Sequence, residues 1–173
     1  MILKGDVFCV QNPSWLGRSI QFMERVWAED GSATYSHAGI ILQSTGETFE
    51  ALWTIRKSHL RNYIGKQILI GRPLRVPPQL MEQALLELEE EHGGQWYPWW
   101  RLGLHTLPIL SKWVSTGQFP VCSELAAKFL LYCGITEIGR WPGYSPDDLA
   151  DAIKKWKVFD IIYEGAVDES IFS

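Results

Sequence analysis

YSHAGIILQSTGETFEAL (residues 35–52) sets two runs of strand-forming residues on either side of a polar break that contains a glycine. Residues 35–42 read as one strand, 43–47 as a turn and 48–53 as the returning strand, a hairpin signature. A turn centred near Ser44 and Thr45 sets His37 opposite Leu52, with Glu50 as its diagonal neighbour. Side chains two apart share a face of a strand. His37, Gly39 and Ile41 therefore share one face with Thr48, Glu50 and Leu52. Ala38, Ile40, Leu42, Phe49 and Ala51 make the other, which is wholly apolar. A polar pair is expected on one face and the core on the other. Glu50 would accept a hydrogen bond from one imidazole nitrogen and fix the tautomer, leaving the other nitrogen for a reacting group. Glu47 is a weaker rival, because it sits in the turn.

A reacting group is offered by FPVCSELAAKFL (residues 119–130), where a cysteine follows a proline at the start of an apolar helical stripe. Leu125, Ala126, Phe129, Leu130 and Cys133 form that stripe, and Cys122 lies on it one turn before Ala126. Such a cysteine is ordinarily a small buried residue. Its place at the helix start opens a second reading. The positive end of the helix and its free N–H groups favour a thiolate and can receive a developing oxyanion. Cys133, in the last turn, and Cys9, inside a strand, read as core. A thiol nucleophile needs a base, and the chain has four histidines. His92 ends an acidic helix and reads as solvated. His59 follows Lys57 and Ser58 in a polar connection. His105 lies in a tryptophan-rich segment, where packing or ligand contact competes with catalysis. His37 differs in opening a strand whose later residues are apolar.

The rest of the chain reads as alternating short elements. Residues 5–10 form a strand. Residues 14–28 form a helix with Ser14 as N-cap and Leu16, Ile20, Met23 and Val26 at helical spacing. Residues 66–76 form a strand ended by Pro77 and Pro78. Residues 79–94 form a helix with Leu80, Ala84, Leu85 and Leu88 on one face, Gly93 as its stop, and Glu87, Glu89, Glu90 and Glu91 on a solvated face. Residues 145–153 form a helix with Ser145 at N-cap and Pro146 at N1, and 157–165 a last strand. This order predicts an antiparallel α+β fold in a single domain covering residues 1–173.

The composition narrows the function. The chain has 173 residues, 46% of them apolar and 21% charged, and a net charge of −4. With no long basic run, nucleic acid is not an expected partner. Three widely spaced cysteines fit reduced thiols better than a disulfide framework. No C-x-x-C pair points to zinc, and no spacing implies a metal or cofactor. Gly5-Asp6 breaks any apolar export segment at the start, and no stretch is long and apolar enough to span a bilayer. A cytoplasmic location is therefore expected, with delivery elsewhere left open. Nine tryptophans include several in residues 95–113. Trp96, Tyr97, Trp99, Trp100 and Trp113 read as core or pocket lining ahead of membrane contact, since Pro98 and Pro108 break any amphipathic period.

GDVF (5–8), YSHAGII (35–41), ETFEAL (47–52), VCSELAAKFL (121–130) and SPDDLA (145–150) together resemble the circularly permuted branch of the NlpC-type cysteine peptidase superfamily, the YiiX-like group of papain-like amidases. Their order carries the likeness: the histidine strand precedes the cysteine helix. The resemblance implies a papain-like core, with a small antiparallel sheet or barrel packed against helices. It implies Cys122 as nucleophile, His37 as general base and Glu50 as orienting residue. Tyr35, Tyr97 and Trp99 are candidate substrate contacts. The implied reaction is cleavage of an amide in a peptide or small molecule, of cell-wall type or otherwise, through an acyl-enzyme. The same superfamily includes lipid-directed acyltransferases, so an acyltransferase or thioesterase is the enzymatic alternative. A non-catalytic binding module retaining the fold is the third reading.

Overall fold

A computed structural model describes residues 1–11, 34–52, 54–95, 122–138 and 144–172. In chain order they form β1 (Val7–Val10), β2 (His37–Ile41), β3 (Glu47–Ala51), β4 (Ile55–His59), β5 (Gln67–Pro73), α1 (Pro78–His92), α2 (Cys122–Tyr132), α3 (Pro146–Lys155) and β6 (Phe159–Ala166). Short 3-10 turns lie at Leu60–Tyr63, Thr136–Ile138 and Glu169–Phe172. The readings for residues 14–28 and for Trp96, Tyr97, Trp99, Trp100, His105 and Trp113 lie outside the described residues.

The hairpin forms in the register that its turn predicts. Ile40 faces Phe49 and Ile41 faces Thr48, the pairs that a turn centred at Ser44 and Thr45 sets. Leu42 N–H donates to the Glu47 carbonyl at 2.7 Å and Gly46 N–H to the Gln43 carbonyl at 3.0 Å. Gly46 takes φ = 99°, a left-handed conformation that glycine adopts without a Cβ penalty. The strands join one six-stranded antiparallel sheet in the order β4-β3-β2-β1-β5-β6.

β4 is a correction to the sequence reading, which left His59 in a polar connection. Residues 55–59 pair along the whole of β3, with Arg56 opposite Glu50 and His59 opposite Glu47. As an edge strand it buries only Ile55, so it lacks the apolar alternation that marks a covered strand. His59 also caps the turn that follows, its Nδ1 accepting from Arg61 N–H at 3.1 Å.

Both faces of the sheet are covered. On one, Val7, Cys9, Ala38, Ile40, Phe49 and Leu69 pack under the three helices against Leu88, Leu125, Ala126, Phe129, Leu130, Leu149 and Ile153. On the other, Phe8, Val10, Ile41, Ile68 and Ile70 pack against Leu60, Tyr63, Val167 and Ile171. The expectation of a core on one face alone is therefore corrected. The turn at Leu60–Tyr63 and the residues after β6 fold back over the face that carries His37 and Glu50.

α1 buries Ala84, Leu85 and Leu88, as its spacing predicts, but also His92. This overturns the solvated reading of His92. α1 packs on α2, and Lys128 of α2 reaches His92 Nε2 at 2.9 Å while Gln95 Oε1 meets Nδ1 at 3.1 Å. α3 carries the expected cap in full: Asp148 N–H donates to Ser145 Oγ at 3.0 Å, and Ser145 N–H to Asp148 Oδ2 at 2.9 Å. Buried Asp6 of the GDVF run takes both arms of Arg72, each at 2.8 Å, a bidentate pair that ties the start of β1 to β5. Among the described residues, no helix is long and apolar enough to cross a membrane.

Candidate active site

Antiparallel strands alternate their N–H groups between two edges. Leu42 donates toward β3, so Ala38, four residues earlier, points its N–H the same way. Yet the β2–β3 ladder pairs only Ile40 and Ile41 with their partners. Ala38 lies outside those pairs, and its backbone N–H stands near enough to the Cys122 sulfur to help draw the thiol pKa down. Ser123 N–H, at the head of α2, donates to the same sulfur. Ser123 Oγ in turn donates to the Tyr144 carbonyl at 2.6 Å and holds the helix start against the approach to α3.

The His37 imidazole hydrogen-bonds the Cys122 thiol. Its Nε2 lies 2.7 Å from Glu50 Oε2, which leaves Nδ1 for the sulfur. The three groups are sealed from solvent: Cys122 and His37 are 4% exposed and Glu50 is 0%. At that burial an unpaired charge is costly, and each charge present must be held by partners. Glu50 has a full set. Thr48 donates its hydroxyl to Oε1 and Tyr63 its phenol to Oε2, alongside His37. Burial pushes the Glu50 carboxyl up, but these three hydrogen bonds and the His37 charge bring it below the ordinary carboxylate range.

The other two groups follow the same balance. Burial opposes a charge on His37, but the Cys122 sulfur and then Glu50 outweigh it, and its pKa stands well above the usual imidazole value. Burial also pushes the Cys122 thiol up. The His37 charge and the N–H groups of Ala38 and Ser123 more than offset that, and its pKa falls below the ordinary thiol value. The shifts run in opposite senses and favour a thiolate–imidazolium pair near neutral pH. Cys133 is the internal contrast: buried without such partners, its thiol is pushed up to about 12.

Several residues hold this arrangement from behind. Phe8 and Tyr63 flank the His37 ring, with centroids at 6.3 and 5.9 Å. Gly39 lets Phe8 approach, since a Cβ there would stand 2.7 Å from its ring. Asp147 Oδ1, from the SPDDLA run, accepts the N–H groups of Thr34 and Tyr35 at 3.2 and 3.0 Å and so fixes the chain just ahead of His37. Thr48, Tyr63 and Asp147 were not read from the sequence as site residues. Thr48 carried a signal, being on the Glu50 face of the same strand. Tyr63 carried none.

The remaining candidates are placed as follows. Tyr35 is buried in the helix-side cluster, and its hydroxyl faces Glu164 at 3.5 Å rather than the sulfur. Glu47 bonds Gln43 Nε2 at 2.7 Å and takes no part. Cys9 is core. Tyr97 and Trp99 lie outside the described residues.

No protein-family model matches the sequence, and no curated protein matches it. The structure is similar to the crystal structure of the metalloprotein YiiX from Escherichia coli O157:H7, with a TM-score of 0.60. The likeness covers 95% of this chain and 98% of that one at 14% sequence identity, and it is therefore a likeness of fold. Among the described residues, no group of three or more His, Cys, Asp or Glu side chains stands so as to hold a metal ion. The α+β architecture is thus a YiiX-like fold.

Proposed function

We propose that this chain is a cysteine hydrolase of the papain-like, circularly permuted NlpC type. In this reading a single domain cleaves an amide in a peptide or small-molecule substrate. Cys122 is the nucleophile, His37 the general base and acid, and Glu50 the group that orients the imidazole. The observation that carries the reading is the buried hydrogen-bonded chain from Cys122 through His37 to Glu50, with its sulfur at a helix N-terminus.

The steps follow from the groups present. The Cys122 thiolate attacks the carbonyl carbon, an S–C bond forms, and the carbonyl electron pair moves onto oxygen. Backbone N–H groups at the head of α2 stabilise that oxyanion. The tetrahedral adduct collapses, the C–N bond breaks, and His37 gives its Nδ1 proton to the leaving amine. A thioester remains. His37 then takes a proton from water, the hydroxide attacks the thioester, and the acid departs as the sulfur leaves as thiolate. Glu50 holds the ring in place throughout and stabilises the imidazolium whenever it is charged.

The test is the rate of Cys122 alkylation by iodoacetamide against pH, with the site read by peptide mass spectrometry. A lowered thiol beside a raised imidazole keeps the sulfur ionised as pH falls below the free-thiol value of about 8.5; labelling should end only as pH passes the depressed Cys122 value. His37→Ala should remove the advantage. An ordinary thiol profile in the wild type, unchanged by His37→Ala, would return Cys122 to a packing role.

A further inference from the structure

Among the described residues, every hydrogen bond to the Glu50 carboxyl comes from a side chain, and two of the three donors are hydroxyls that no part of the hydrolytic scheme uses. Thr48 lies two residues before Glu50 on β3 and donates to Oε1. Tyr63 arrives from the turn after β4 and donates to Oε2, the oxygen that also faces His37. With a hydroxyl on each oxygen and the imidazole on one of them, the site is built for an acceptor-only group, which a carboxyl is when ionised. Tyr63 is itself built into place. It is 6% exposed, its ring packs on Phe8 and His37, and its carbonyl accepts from Lys66 N–H at 2.9 Å. The turn that carries it is clamped by Phe172, whose ring meets His59 at a tilt, centroids 5.7 Å apart, with the Arg61 guanidinium over it at 5.1 Å. Arg61 also pairs with Glu169 at 3.3 Å.

We propose that Tyr63 and Thr48 are positioning residues of the site: their hydroxyls keep Glu50 ionised and hold its Oε2 on His37, so that the imidazole presents Nδ1 to Cys122. The proposal rests on the Cys–His reading above for its effect on the sulfur. Its effect on Glu50 can be measured without it. Among the described residues, the charged and titratable groups around Glu50 are His37 on β2, Tyr63 on the turn, Arg56 across from it on β4 and, beyond His37, Cys122 on α2.

Two measurements test it on the full chain. The first is the titration of the Glu50 side-chain carboxyl by carbon NMR in a Cys122→Ala background, which removes the thiol. Losing one donor to a buried carboxylate raises its pKa, so adding Tyr63→Phe should move the midpoint up by about one unit. The second is the alkylation profile of Cys122. Tyr63→Phe should slow labelling near neutral pH about tenfold and move its acid limb up. Thr48→Val should act in the same direction, and Thr48→Ser, which keeps the hydroxyl, should restore most of the loss. A Glu50 midpoint that does not move, or one that moves while labelling in Tyr63→Phe and Thr48→Val matches the wild type, overturns the proposal. A wild-type thiol that shows no activation at all overturns the Cys–His reading instead, and the role of these hydroxyls toward the sulfur with it. The carboxyl titration tells the two failures apart.

Discussion

The two faces of one hairpin are buried to the same degree by opposite means. Toward the helices, β2 and β3 offer Ala38, Ile40, Phe49 and Ala51, which gain from burial through apolar area alone. Toward the second layer they offer His37, Ile41, Thr48 and Glu50, all buried as well. That face holds an ionisable pair and is tolerated because each polar atom of Glu50 has a partner. The first face is robust to shape and indifferent to proton position. The second is specific in geometry, and a single lost partner leaves a buried charge. Function is expected on the second face, with stability spread over the first.

Several substitutions would break or sharpen that contrast. The largest effect is expected for Cys122→Ser, which should remove turnover by on the order of 10^4-fold or more while thermal melting changes little; activity on an acyl substrate and a melting curve together check it. Glu50→Gln keeps the volume but loses the charge that holds the imidazolium. It should slow acylation by on the order of 10^3-fold, read as the single-turnover rate. On the apolar face, Phe129→Ala removes a fully buried ring of α2 and should cost about 3–5 kcal/mol in urea unfolding. The alkylation midpoint of the remaining folded protein should stay where it was. If Phe129→Ala moved that midpoint as far as Glu50→Gln does, the division of labour between the faces would fail.

Smaller effects lie at the periphery. Ser145→Ala removes the cap of α3 and should cost about 1 kcal/mol, with the alkylation rate nearly unchanged. His92 is buried, and burial with Lys128 beside it holds its pKa below 6.5. A folded value below the unfolded one means that the unfolded chain binds the extra proton first. The stability tied to neutral His92 is therefore complete above 6.5 and falls as pH drops below it. His92→Gln should flatten that fall, measured as urea midpoints across the acid range.

The hairpin and the site were legible in the sequence to different extents. The register of β2 against β3 follows from a turn centred near Ser44 and Thr45 and a two-residue period, and that register makes Glu50 the diagonal neighbour of His37 before any packing is known. The start of α2 at Cys122 and the cap of α3 at Ser145 are equally local. β4 was missed because an edge strand needs little apolar alternation. His92 was misread because an acidic helix end looks solvated until α2 lays Lys128 over it.

The sequence by itself determined what repeats within a few residues: strand alternation, the turn, the helical stripe and the cap. These follow from backbone geometry, which imposes the same period wherever it occurs. Tertiary structure alone decided that Cys122 meets His37, and that a turn beyond β4 brings Tyr63 onto Glu50. Those contacts join elements far apart in the chain. They depend on which faces pack together, and no local period encodes that choice.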